Sequence, residues 1–410
     1  MKTNHLYLFF IFFTILLSCT SQTDEQDPVT SFKSVAKGGQ IVEANNTFAF
    51  SLFKEIAMTE TKNNFMISPV SASLAMGMVY NGAAGKTQQA FADVFDYGDA
   101  TLEQTNLVNQ NIIDNLTYGT SGSTFEVANS LWVNHNFPIK ESFVALNQKY
   151  YYAAVENRDF KDPSTLNAIN HWASSNTNGK IPEILDEISD NAVLYAINAL
   201  YFKSDWKYKF DPDDTQSLPF HSEDGTVKNV AMMSMEQDLL YFSNELFAAA
   251  RLPYKNDKYS MTLLLPHGGK TTEDVVALMS SENWNQWQDD YAEKGIKLTM
   301  PKFTFSYEKK FNEALINLGL GNAFSEGVAD FSKMTDMEVF ISFVLQKTFI
   351  EVNEKGSEAA AVTAVGIELT SVGGGTPHLL LDRPFLFVIT EKDTGSICFI
   401  GKVGQPQYNQ

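Results

Sequence analysis

The run Glu351-Val-Asn-Glu-Lys-Gly-Ser-Glu-Ala-Ala-Ala-Val-Thr-Ala-Val-Gly-Ile-Glu-Leu-Thr-Ser-Val-Gly-Gly-Gly-Thr-Pro-His-Leu-Leu-Leu-Asp-Arg383 decides how the rest of the chain is read. On its left Thr348, Ile350 and Val352 alternate with Phe349 and Glu351, the period of a strand. On its right Pro384-Phe-Leu-Phe-Val-Ile-Thr390 reads as a second strand. The connection has no buried-core pattern and is too long for an ordinary loop, which points to function. Yet its first half keeps a strand's own period. Ser357, Ala359, Ala361, Thr363, Val365 and Ile367 are small or apolar, with Glu358, Ala360, Val362, Ala364 and Glu368 among the residues between them. Such a segment can stay outside as a loop or enter a sheet as a strand.

The 410 residues are 44% hydrophobic and 13% aromatic, ample core material, and no mid-chain tract rich in Pro, Gly or Ser marks a linker. One domain over residues 39–410 is therefore expected. A net charge of −19 argues against a nucleic-acid partner. Residues 1–18 read as a leader: Lys2 gives a positive start, and Leu6 to Leu17 is an apolar run too short to span a bilayer. Its end, Leu16-Leu17-Ser18-Cys19, resembles the lipobox of bacterial lipoproteins, which implies cleavage before Cys19 and a lipid on that cysteine. Loss of Lys2 with the leader takes the charge to −20. The polar stretch Thr20 to Thr30 makes residues 19–38 a flexible tether. The protein is thus expected to be exported and lipid-anchored at the cell envelope, on the outer membrane or cell surface, or secreted. Cys398, within Ile397-Cys-Phe-Ile400, reads as a small buried hydrophobe, so the core alone must hold the fold.

Along the chain, Val42 to Ala57 puts Phe48, Leu52, Phe53 and Ile56 on one helical face. Ser68-Pro69 is a helix start: a capping hydroxyl, then a proline whose missing N–H costs nothing there. Ser71, Ala72, Ser73, Ala75 and Gly77 let other backbone approach the helix that follows. Gly85-Lys86-Thr87 ends like a phosphate-binding loop, but Tyr80 stands where its first glycine belongs and a helix where its strand belongs. Phe125 to Asn134 reads as a strand, Asn167 to Leu185 as a helix closed by Asn178-Gly179, and Ala192 to Trp206 as a long central strand. Asp224-Gly225 marks a hairpin, after which Val227 opens a second, smaller sheet. Ala249 to Pro266 reads as a two-strand hairpin, Met300 to Tyr307 as one more strand, and Leu315 to Phe331 as a helix and turn.

Asn353-Glu-Lys-Gly-Ser-Glu-Ala-Ala-Ala-Val-Thr363 resembles the hinge of the reactive-centre loop of serpins, and Arg383-Pro-Phe-Leu-Phe-Val-Ile389 resembles the strand that follows it. The other motifs fall in that family's order from about Ala44 to Pro406. The resemblance implies an α+β serpin fold: a large mixed or antiparallel central sheet, smaller sheets, about nine helices and an exposed reactive loop. It also implies a suicide substrate, in which a protease forms an acyl-enzyme with the loop and the freed half inserts as a strand. Glu354, Gly356, Ser357, Ala359, Ala360, Ala361 and Thr363 would form the hinge. Ser68, Ser71 and Asn198 would lie beneath the main sheet, with Trp206 at the end of its central strand. Serpins usually have glycine where Ser204 stands and histidine where Gln346 stands. Glutamine still donates and accepts but does not titrate near neutral pH, so a hydrogen-bond latch without a pH gate is expected. Glu354 is expected to pair with Lys302.

Counting forward from Glu354 by the family spacing gives Thr370-Ser371 as the reactive bond, with Glu368, Leu369 and Val372 as neighbours. Counting back from Pro384 falls near Gly373, because Gly373-Gly374-Gly375 lengthens that side. The forward count is taken because the inserting strand fixes its length. No Lys or Arg occurs from Gly356 through His378, so trypsin-like proteases have nothing to grip. A small β-branched residue at the cut suits elastase-like serine proteases, Leu369 suits papain-like cysteine proteases, and a slip to Leu369 would admit chymotrypsin-like enzymes. The expected partners of this monomer are such proteases and, through the lipid only, a membrane; no cofactor is implied. The alternative is a serpin-fold protein that binds or chaperones without inhibiting. Large or charged residues between Ser357 and Thr363 would favour that, and only Glu358 is charged there, at a position expected to face outward.

Nothing in the sequence singles out a catalytic site. His5, His135, His171, His221, His267 and His378 form no HExxH, there is no CxxC, and no GxSxG elbow occurs. A Ser-His-carboxylate set could still assemble from distant residues, since triads are defined by geometry. The chemistry is assigned to the partner protease.

Overall fold

The computed structural model describes residues 32–118, 122–189, 192–357 and 376–408. Among them the helices are α1 Gly38–Thr59, α2 Pro69–Tyr80, α3 Gly85–Val94, α4 Leu102–Thr117, α5 Glu141–Tyr151, α6 Pro163–Ser175, α7 Thr272–Leu278, α8 Ser281–Asp290 and α9 Asn312–Asn317. The first strands are β1 Asn64–Ile67, β2 Ser123–Asn134, β3 Ala154–Arg158, β4 Leu194–Asp205, β5 Gln216–His221, β6 Val227–Ser243, β7 Phe247–Pro253 and β8 Tyr259–Pro266. Then follow β9 Ala292–Pro301, β10 Phe303–Lys310, β11 Leu345–Asn353, β12 Gly356–Ser357, β13 His378–Leu380, β14 Phe385–Glu391 and β15 Ile397–Val403.

The strands form two sheets. One has six strands in the order β10-β11-β12-β4-β2-β3; the other has nine, β1-β15-β14-β8-β7-β6-β9-β13 with β5 beside β6. The sheet that β6 opens is therefore not the smaller in strand number. Its 17-residue β6 pairs with β5, β9 and β7 along its length, joining what would otherwise be separate small sheets. The nine-stranded sheet supplies a large share of the main core: Met261, Leu263, Leu264, Phe387, Val388 and Ile400 have no exposed surface. Along β4 the side chains alternate. Leu194, Ala196, Leu200 and Phe202 turn to the main core, while Tyr195 and Ile197 join Trp132, Phe160, Ile169 and Ala173 under α6. Both faces of the six-stranded sheet are thus covered.

Beneath the six-stranded sheet runs α2, buried almost all round and packed against β4 and β15. Ser68 caps it, its Oγ accepting from Ser71 N at 3.3 Å. Three other sequence expectations are corrected. Met300 to Tyr307 is the end of β9 and the start of β10, broken at Lys302, whose N–H turns to Ala231 O at 2.9 Å. The connection before Arg383 does contain buried residues: β13 pairs parallel with β9, and Leu379 and Leu381 are 2% and 0% exposed. Three residues are too few to reveal a period. The stretch read as tether also ends early, because a 3₁₀ turn at Phe32–Ser34 packs on α1 and α4.

Candidate functional site: the hinge, the cleft and the latch

The chain turns at Glu354-Lys355 and comes back as β12. Gly356 and Ser357 pair antiparallel with Asn353 and Val352 of β11 on one side, and with Asp205 and Ser204 of β4 on the other. The start of the hinge already lies inside the sheet. Ser357 is 3% exposed and its Oγ lies 2.8 Å from Tyr254 Oη. Gly356 is required by close approach: a Cβ there would overlap Ser204 O and lie 2.7 Å from Asp205 Cα. Among the described residues β11 and β4 do not pair with each other, so an unfilled cleft runs on below β12. Asn198, Leu200 and Phe202 of β4 and Gln346, Thr348 and Ile350 of β11 flank it, over a floor of Met66, Ser68, Ser71, Ile389 and Phe399. Lower down it opens into a cavity of about 490 Å³ between β4, α2 and the chain leading into β11.

Two sets of contacts hold the mouth of this cleft. Trp206 N–H donates to Lys355 O at 2.8 Å and its ring Nε1 to Asn353 O at 2.9 Å, while the ring stacks on Tyr254 at 4.5 Å. Lys302 Nζ is 3.0 Å from Glu354 Oε2, with the two side chains 12% and 11% exposed, and Thr215 Oγ1 donates to Glu354 Oε1 at 2.9 Å. Burial alone would raise the Glu354 carboxyl, but bonds from its own backbone N–H, Lys302 and Thr215 hold it below the ordinary carboxylate value.

Halfway down, Gln346 stitches β11 to the start of α2. Its Oε1 accepts from Ser68 N at 2.8 Å and its Nε2 donates to Ser68 O at 2.9 Å, so one carboxamide pairs with one peptide unit much as a strand would. Ser68 Oγ donates to Cys398 O at 2.8 Å. Asn198 does not join this group. Its Nδ2 donates to Asn129 Oδ1 at 2.8 Å, and its buried Oδ1 has no partner among the described residues. Four participants were not singled out from sequence: Asn129, Tyr254, Thr215 and Thr348, whose Oγ1 donates to Met66 O at 2.9 Å. A buried polar residue on the core face of a strand was the available signal for Asn129 and Thr348. The hinge residues Ala359, Ala360, Ala361 and Thr363, the reactive-bond residues Glu368 to Val372, and Cys19 lie outside the described residues.

The latch carries a pH prediction. Gln346→His should give the rate of uncut-loop insertion on warming a pH-dependent step near ~6.5 that the parent lacks. Identical pH profiles for the two proteins would show that Gln346 does not restrain the cleft.

No catalytic set emerges among the described residues. Ser243 Oγ lies 3.4 Å from His267 Nε2, but that same nitrogen is 2.9 Å from Asn244 O, which leaves no base free for the hydroxyl. Burial pushes the Cys398 thiol well up, away from a reactive thiolate. No cluster of three His, Cys, Asp or Glu side chains that could hold a metal ion occurs there.

A sheet parted at one point to admit the start of a loop, above a polar latch, is the architecture of serpins. Residues 43–406 match the profile of Serpin (serine protease inhibitor), and the chain belongs to that family. An uncharacterized serpin-like protein of Methanosarcina acetivorans is 31% identical, with 97% of this chain and 96% of that one covered. Among solved structures, the thermophilic serpin tengpin in its native state aligns with a TM-score of 0.83 at 31% identity, over 89% of this chain and 94% of that chain. Human thyroxine-binding globulin in complex with thyroxine gives 0.83 at 28% identity, over 91% of this chain and 100% of that chain.

Proposed function

We propose that this chain inhibits elastase-like serine proteases by offering Thr370-Ser371 as a substrate and trapping the acyl-enzyme through insertion of residues 357–370 between β11 and β4. The observation that carries this reading is β12, paired on both sides at the head of an unfilled cleft. Continuing its register sets Ala359 between Phe202 and Ile350, Ala361 between Leu200 and Thr348, and Thr363 between Asn198 and Gln346. Each of these flanking side chains lines the cleft. The small residues of the loop would thus meet the core face, and Glu358 would fall on the other face between Lys203 and Glu351. The unpartnered Asn198 Oδ1 would gain the Thr363 hydroxyl as a donor. The inserting half has fourteen residues, roughly 46 Å at ~3.3 Å each, long enough to carry a tethered protease to the opposite pole.

The finer assignments belong to the same proposal. A leader over 1–18, a lipid on Cys19, a tether that ends before the Phe32–Ser34 turn and one domain from that turn onward would hold a monomeric inhibitor at a bacterial envelope, where it would shield the cell from foreign proteases. The described residues include no helix long and apolar enough to cross a membrane. Incubation with a protease panel tests specificity. An elastase-like enzyme should give fast, denaturant-stable complexes, papain-like and chymotrypsin-like enzymes slower ones, and trypsin none. A trypsin complex formed as fast as the elastase one, or a cut outside Glu368 to Val372, would overturn the assignment. A second reading, a carrier that inhibits nothing, draws support from the likeness to thyroxine-binding globulin and from the cavity beneath the cleft. Complex formation with any protease decides against it.

A further inference from the structure

The last described residues of the chain reach back to the hinge. Past β15 the Gln407 carbonyl accepts from Thr304 N at 2.7 Å, and Tyr408 lies across the turn that carries Glu354. Its hydroxyl donates to Glu351 Oε1 at 3.0 Å and accepts from Asn353 Nδ2 at 3.4 Å. Its ring centroid stands 4.3 Å from Lys302 Nζ, the ammonium that pairs with Glu354 at 3.0 Å. One lysine is thus held between an aromatic face and a carboxylate, and that carboxylate belongs to the first residue of the hinge.

We propose that Gln407 and Tyr408 form a carboxy-terminal strap, with Tyr408 a positioning residue that keeps Lys302 on Glu354 and so holds the hinge at its resting depth. A lysine side chain has a long flexible stem and a strongly hydrated head, so one partly buried ion pair leaves it free to swing out to water. The ring removes that alternative, and the bonds to Glu351 and Asn353 fix the ring. Without the strap Lys302 samples solvent, Glu354 loses its partner part of the time, and the uncut loop enters the cleft more readily. Trimming the tail back far enough to remove Tyr408 has the same effect. The consequence for inhibition rests on the proposed function; the positioning role does not.

The test is the rate at which Tyr408→Leu, Tyr408→Phe and the parent convert, a few degrees below unfolding, to a heat-resistant form with the loop inserted, unfolding midpoints being measured alongside. Tyr408→Leu should convert about five- to tenfold faster, the worth of one partly buried cation–π contact. Tyr408→Phe keeps the ring over Lys302 and should stay within about threefold of the parent. Equal rates for all three, equal acceleration in Leu and Phe, or no conversion in any of them overturns the strap. No protease enters the assay, so the two ideas fail separately. A parent that converts in this pattern but traps no protease leaves the strap standing without the inhibitory reading. A parent that traps proteases while Tyr408→Leu converts at its rate leaves inhibition without the strap.

Discussion

Ala361→Glu is expected to turn this protein from an inhibitor into a substrate. In the proposed inserted state, continuing the register of β12 would set position 361 between Leu200 and Thr348, over a floor that includes Met66, Ile389 and Phe399. Apart from the latch hydroxyls and amides this floor offers nothing to a carboxylate, and the nearest basic groups lining the cleft, Lys180 and Lys347, sit on strand or loop positions of the opposite face. An unpaired carboxylate on the core face costs several kcal/mol. Even about 3 kcal/mol of that, felt while the strand enters, slows insertion by roughly 100-fold. Deacylation then wins the race, and a denaturing gel would show cleaved chain without a stable complex. Complexes formed at the parent's stoichiometry would mean that position 361 is not buried in the trapped state. Ala360→Glu, one residue away and on the other face, should do far less.

Glu354→Lys is expected to have the second largest effect, and it acts before any protease arrives. The substitution removes the partner of Lys302 and sets a second ammonium where two cations would compete for the Tyr408 ring. Breaking one side of a fully buried ion pair costs about 3–5 kcal/mol, and this pair keeps some exposure, so about 2–3 kcal/mol is expected. On warming, native gels should show polymers or a monomer with its loop inserted, forming faster than in the parent. Unchanged monomer with unchanged inhibition would show that the pair does not hold the hinge. The parent itself offers the same test through pH. The Glu354 carboxyl sits below its ordinary value of 4.5 in the folded protein, so its contribution is complete above that pH and is lost as pH falls through the folded-state value. The parent should therefore approach the behaviour of Glu354→Lys only in acid, at pH values under the ordinary 4.5.

Residues 358–367 lie outside the described residues, so of the run that opens at Ser357 only the burial of Ser357 itself can be compared with the period-2 signal, and it agrees. The same holds for α1 and α2, whose apolar spacing and Ser68-Pro69 start are local signals. What the sequence leaves out is where non-local partners meet. Asn198 carries its own polar signature, but only the pairing of β4 with β2 brings Asn129 opposite it, and only that bond turns its amide away from Ser68 and Gln346. Tyr408 gives no signal at all: it is one aromatic in a polar tail, and its value comes from the fold delivering Lys302 beneath it. The break at Lys302 hides in a run with strand character on both sides, and only a sheet-to-sheet crossing tells the two strands apart.

The central claim is that residues 357–370 become a strand between β11 and β4 once the loop is cut. Hydrogen–deuterium exchange of the cleaved protein, resolved by peptide across residues 358–367, reads this directly. The account predicts amides protected as strongly as those of β4 and β11, with the gain beginning at the register set by Ser357 and Ser204. Exchange across that stretch at the rate of a free peptide, before and after the cut alike, would contradict it.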